Sequence, residues 1–99
     1  MIILTGEQVF TIIGSMAVEI DEPIKVAAVF FRGEVRPVWF SRRGTQIKIK
    51  ETTFIWTTFQ GSSTIHHFSV TDGNALYELC YHQSDILHWR LARTEEGVV

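Results

Sequence analysis

The sequence predicts an all-β fold: a small antiparallel meander of about six strands curling into a barrel, with room for one short N-terminal helix. Three observations carry this. From Ile24 onward, short runs rich in Val, Ile, Thr, Phe, Trp and Tyr recur between Gly, Asp and Ser punctuation. The links between runs are short, which suits antiparallel hairpins rather than parallel crossovers of a dozen residues or more. With 99 residues, 45% apolar and 20% charged, the chain makes one ordinary globular domain with one modest core.

Residues 1–23 support two readings. Val9, Phe10, Ile13, Met16, Ala17 and Ile20 form a helical stripe behind a Thr5 cap with Gln8 at the capping-box position. Val-Phe-Thr-Ile-Ile followed by Gly14-Ser15 reads equally as a strand and a turn. Strands are expected near 24–31, 35–40, 45–58, 64–71, 75–82 and 86–92. The domain therefore divides into an N-terminal segment 1–23, a barrel core 24–92, and a tail 93–99 without period that should fray.

The clearest turn signal is Asp72-Gly73, the dipeptide of a type I′ hairpin, which needs positive φ at both central residues. A two-residue turn there pairs Val70 with Ala75 and Phe68 with Tyr77. Phe68, Val70, Tyr77, Leu79 and Tyr81 then gather on one face, the core face, with Leu87, Trp89 and Leu91 joining from the last strand. His67, Ser69, Glu78, Cys80 and His82 take the other face.

The opening "MIILTGEQVFTIIG" is apolar but has no basic leader, and Gly6-Glu7-Gln8 interrupts it. No apolar run approaches the roughly 18 residues of a membrane span. Cys80 is the only cysteine, so no intramolecular disulfide can form. These features predict a cytoplasmic protein without membrane contact.

The net charge of −2 is unevenly spread. Between Lys25 and Lys50 seven basic residues face Glu34 alone, a net of +6, whereas the segments on either side each carry −4. Within this window "WFSRRGTQIKIK" places Arg42 and Arg43 at a turn. An unbroken strand from Thr45 then sets Ile47, Ile49 and Ile55 on one face, and Lys48, Lys50, Phe54 and Trp56 on the other. Cations followed by aromatic rings on one face suit single-stranded nucleic acid, with Arg42, Arg43, Lys48 and Lys50 on phosphates and Trp56 stacked on a base. One bulge would instead swap faces and send Trp56 into the core, leaving a solvated basic hairpin.

His67, Glu78 and Cys80 share a face, but His82 lies roughly 13 Å along the strand from Glu78, and nothing has zinc-motif spacing. No metal and no cofactor are expected. Ser69, Cys80 and the histidines lack any nucleophile elbow, and Gly33, Gly44, Gly61 and Gly73 are isolated turn glycines rather than a phosphate loop. No enzymatic activity is expected.

The succession "EPIKV", a short Gly turn, a basic turn before "TQIKIKE", a later Trp, "HFSVTDGNALYELCYH" and "WRLAR" resembles a group of short uncharacterised bacterial β-domains. Members of that group sometimes accompany translesion DNA-polymerase accessory proteins. The resemblance spans residues 22–92 and implies no catalytic residues; it implies a small β-domain in the company of nucleic-acid-handling proteins. The sequence thus favours a binding module for nucleic acid or a nucleic-acid-handling protein. The alternative is a protein-interaction or self-association domain, a homo-oligomer among its forms, using exposed Trp39, Phe40 or an open edge strand.

Overall fold

A computed structural model describes residues 16–96. The N-terminal helix-or-strand alternative over residues 1–15 lies outside the described residues. The seven strands are β1 (Met16–Phe31), β2 (Glu34–Arg42), β3 (Thr45–Lys48), β4 (Glu51–Gln60), β5 (Ser63–Thr71), β6 (Ala75–His82) and β7 (Trp89–Glu96). They form one antiparallel sheet in the order β3-β2-β1-β7-β6-β5-β4. Among the described residues there is no helix long and apolar enough to cross a membrane.

β1 organises the sheet. Its first part, Met16 to Ile24, pairs with β7, and its second, Lys25 to Phe31, pairs with β2. A bulge at Ile20-Asp21, where Asp21 takes φ 54°, bends the strand between its two partners. The sheet curls far enough for the Phe40 ring of β2 to meet the Tyr77 ring of β6 edge-on at 5.1 Å, across two intervening strands. The terminal strands β3 and β4 are consecutive in the chain, joined by Ile49-Lys50. There the Ile49 N–H donates to the Val38 carbonyl of β2 (3.0 Å) and the Lys50 N–H to the Thr71 carbonyl of β5 (2.7 Å). The two ends of the sheet touch at this corner. Beyond it the ladder stays open, so the barrel is incomplete.

The concave face holds the core: Ile24, Phe40, Phe68, Val70, Ala75, Tyr77, Leu79, Tyr81, Trp89 and Leu91 are buried, with Val26, Val35, Ile47 and Ile49 against them. The core-face reading of β5 and β6 therefore holds. Leu87 does not join it: it is 85% exposed in the loop before β7, which begins only at Trp89.

The hairpin registers differ from expectation for an identifiable reason. Type I′ turns form at Arg32-Gly33 (φ 53° and 80°) and Arg43-Gly44 (φ 51° and 81°), where two residues connect the paired ends. At Asp72-Gly73 only the glycine has positive φ. The Asp72 carboxylate instead accepts from the Asn74 and Ala75 N–H groups at 2.8 and 2.9 Å, building a longer turn. Val70 consequently faces Tyr77 and Phe68 faces Leu79, a slip of two residues that leaves every side chain on its expected face.

Three boundaries also move. The predicted non-core segment 1–23 includes the first half of β1, and residues 93–96 of the predicted frayed tail are strand, paired with both β1 and β6. A register shift beside Leu79, which leaves Ala92 of β7 unpaired, interrupts the alternation that would have marked the extension. The single predicted strand 45–58 is divided at Ile49-Lys50, giving seven strands among the described residues where six were expected.

Candidate functional site

The five residues of the predicted basic and aromatic surface do not form one patch. Arg42 and Arg43 converge on Glu22 of β1, at 3.3 and 3.5 Å from its two carboxylate oxygens. Arg42 and Glu22 are largely buried there, so this part of the basic window is substantially neutralised. Lys48 is exposed opposite half-buried Trp39 at the β3 edge. Lys50 lies over the β5–β6 turn, where a Cβ added to Gly73 would stand 3.3 Å from its ammonium nitrogen. Trp56 sits on β4, at the other end of the strand order. Phe40 is buried in the core and cannot serve as the exposed contact of the protein-interaction alternative.

Trp56 does face away from the core, as an unbroken strand would have it, but by a different route. The irregularity at Ile49-Lys50 inverts the alternation, so that Thr52 faces Val70, and the bulge at Thr53 inverts it back. The two cancel, leaving Ile49 and Ile55 on the concave side and Phe54 and Trp56 on the convex side.

On that convex face Trp56 stacks on His67 of β5, with centroids 4.9 Å apart and planes 8° from parallel, and Phe54 stacks on Trp56 at 5.3 Å. His67 Nε2 shares a 2.7 Å hydrogen bond with the Thr58 hydroxyl. Its Nδ1 is buried, 3.4 Å from Glu78 Oε2 but without hydrogen-bond geometry. The ladder borders a depression of about 250 Å³ lined by Ser69, Leu76, Glu78 and Arg93. Arg93 pairs with Glu19 at 3.0 Å and Arg90 with Asp21 at 2.5 Å, so this face carries balanced charge. Burial, followed by the Glu78 and Asp21 charges, pushes the Cys80 thiol up, opposite to what an activated thiolate needs. Among the described residues no group of three His, Cys, Asp or Glu side chains could hold a metal ion.

A seam lies between β2 and β4. β3 covers β2 only from Trp39 to Arg42, and past Ile49 the first residues of β2 have no neighbour on that side among the described residues. Among the described residues β4 pairs with β5 alone, so its other edge presents backbone groups that none of them pairs. The seam opens a cleft of about 390 Å³ lined by Val35 and Arg36 of β2, Thr52 and Ile55 of β4, and a floor of His66, Phe68 and Tyr81. His66 stacks on Tyr81 at 5.0 Å and bonds Gln83 at 2.9 Å, which holds the cleft's polar end in place. Along β4 the apolar side chains remain in water on both faces: Phe54 is 63%, Ile55 57% and Phe59 75% exposed.

Sequence reasoning raised an open edge strand as a contact but did not identify β4 as that edge. The one local signal was Gly61-Ser62, where Gly61 takes φ 62° and the link from Gln60 to Ser63 is a two-residue turn. Reading it so would have set Trp56 opposite His67. Compared with known proteins, the chain matches no family model, no curated protein and no solved structure.

Proposed function

We propose that this chain is a non-catalytic binding module that receives an extended protein strand along the free edge of β4. The single observation carrying the reading is the character of that edge. β4 runs for ten residues, and from Thr52 to Gln60 it has no charge and no proline. Edge strands that must stay unpaired are shortened, charged or interrupted, because their open N–H and C=O groups template another strand. The opposite edge follows that rule: β3 has four residues and carries Lys48. β4 breaks it from Phe54 to Gln60, beyond its bulge at Thr53, and beside it lies a cleft able to take alternate side chains of an added strand. A cytoplasmic setting goes with this reading, since the chain has a single cysteine.

Selection of a displayed peptide library on the immobilised full chain tests this. Enriched peptides should alternate apolar residues, and their binding should be lost in Ile55→Lys/Phe59→Lys, where both substituted side chains are exposed. Enriched peptides indifferent to that variant would overturn the reading.

A second reading, single-stranded nucleic acid, is favoured by two observations. Among the described residues Lys25, Lys48 and Lys50 have no ion-pair partner, and the Phe54 ring is exposed at the end of a stack. Its contacts would be those of Arg42, Arg43, Lys48 and Lys50 with phosphates, and it is separated by salt. Nucleic-acid affinity falls steeply with salt, at a logarithmic slope of about −0.7 per phosphate contact on a single strand; strand addition barely responds.

A further inference from the structure

We infer that the strand received by β4 is the β4 of a second copy of this chain, running antiparallel about a two-fold axis at Ile55. This rests on the strand-addition reading above and names the occupant. The observation that carries it is the order of residues along the edge: Thr52, Thr53, Phe54, Ile55, Trp56, Thr57, Thr58. By side-chain type it reads the same in both directions from Ile55.

An isologous contact needs such a surface, since residue i of one copy meets j of the other and j meets i. Antiparallel pairing centred on Ile55 sets Ile55 against Ile55 on the concave face and Phe54 against Trp56 on the convex face, while Thr53, whose bulge turns its hydroxyl to Ser69 on the convex face, shares no face with Thr57. Aromatic pairs are among the favourable cross-strand combinations. The Phe54–Trp56–His67 ladder of each copy would run on into the other's, and Phe54, which is 63% exposed in the single chain, would gain a second indole, that of the other copy. On the concave face both Ile55 side chains would enter the seam cleft.

Charge fits as well. The one charged residue of β4, Glu51, stands at its end, so the two copies place their carboxylates at opposite extremities and no like charges meet. The bulge at Thr53 limits the regular ladder to the segment from Phe54 to Trp56. The contact is therefore short, and the dimer should dissociate on dilution.

Sedimentation equilibrium of the full chain tests this. The mass should be twice 11.4 kDa in concentrated solution and fall to 11.4 kDa on dilution. Ile55→Lys puts two ammonium groups face to face at the axis and should cut the association constant about tenfold or more, while the melting temperature of the monomer stays unchanged. In a Cys80→Ser background, Ile55→Cys should form an intermolecular disulfide under mild oxidation faster than Thr57→Cys or Leu87→Cys. A dimer indifferent to Ile55→Lys, or faster crosslinking at position 57 or 87, overturns the inference. A chain monomeric at every concentration that still binds selected peptides through β4 overturns the second copy and leaves strand addition standing. A monomeric chain without edge-sensitive peptide binding overturns both.

Discussion

The indole of Trp56 lies flat on the imidazole of His67, 4.9 Å between centroids, on the face of the sheet opposite the core. The pair is made by register alone, since the two residues sit on neighbouring strands and face each other directly. Trp56 meets a second ring, Phe54, while among the described residues Phe54 meets only Trp56. Stacked aromatic pairs contribute about 0.5–1.5 kcal/mol beyond their area. Trp56→Ala should therefore lower stability by about 2 kcal/mol and Phe54→Ala by less than about 1 kcal/mol, measured by urea unfolding. Equal losses would mean that the ladder does not order the convex face.

Leu79 and Leu87 separate the core from its surroundings. Leu79 is fully buried between Phe68 and Leu91, its partners in the ladder, whereas Leu87 stands in water. Leu79→Ala should cost about 2–5 kcal/mol and Leu87→Ala less than about 0.5 kcal/mol. Thermal melting of the two variants checks this, and a large loss at Leu87 would contradict the loop position.

The turn at Asp72 makes stability depend on pH from both sides. Burial raises the Asp72 carboxyl, but the Asn74 and Ala75 N–H groups and the Tyr77 hydroxyl together hold it below its usual 3.8. A depressed carboxylate stabilises above its unfolded pKa, and that stability disappears as pH falls through the folded value. Tyr77 is pushed up to about 12, first by burial and then by the Asp72 charge. Its neutral form is the one the fold favours, so its contribution is complete below about 10 and is lost as pH rises toward 12. Unfolding followed across pH should show a plateau between these limits. Asp72→Ala should flatten the acid limb and Tyr77→Phe the alkaline one. Unchanged limbs in both variants would show that other groups govern the profile.

Arg43 occupies a left-handed position, φ 51°, that non-glycine residues adopt at a cost and Asn adopts most readily. Its guanidinium is mostly exposed and reaches Glu22 only at 3.5 Å. Arg43→Asn should therefore stabilise the domain by about 0.5 kcal/mol in denaturant unfolding, the turn gain exceeding the loss of a surface ion pair. A loss of stability would show that Arg43 holds Glu22 more firmly than its exposure implies.

Fold class was legible because it rests on composition and alternation. Phe68, Val70, Tyr77, Leu79 and Tyr81 alternate with polar residues, and a register slip of two cannot move them to the wrong face. The turns were less legible. Asp-Gly is the stronger I′ signal, yet at Asp72 the side chain captures the following N–H groups, while the less favoured Arg-Gly pairs form the I′ turns. β1 and the end of β7 were obscured because bulges at Ile20-Asp21 and near Ala92 break the period on which strand recognition depends. The basic window was visible as charge, but Glu22, twenty residues before Arg42, neutralises part of it through the fold. The seam was not visible at all. It exists because the two halves of one long apparent strand serve opposite ends of the sheet, and only strand order tells which edge is left open.

Amide hydrogen exchange across residues 51–60, with and without a selected peptide, tests the central claim most directly. The account predicts that amides of β4 directed away from β5 exchange rapidly in the dilute chain and become protected on binding, while those bonded to β5 change little. Protection confined to the β2–β3 turn or to the convex depression, with β4 unchanged, would contradict strand addition at this edge.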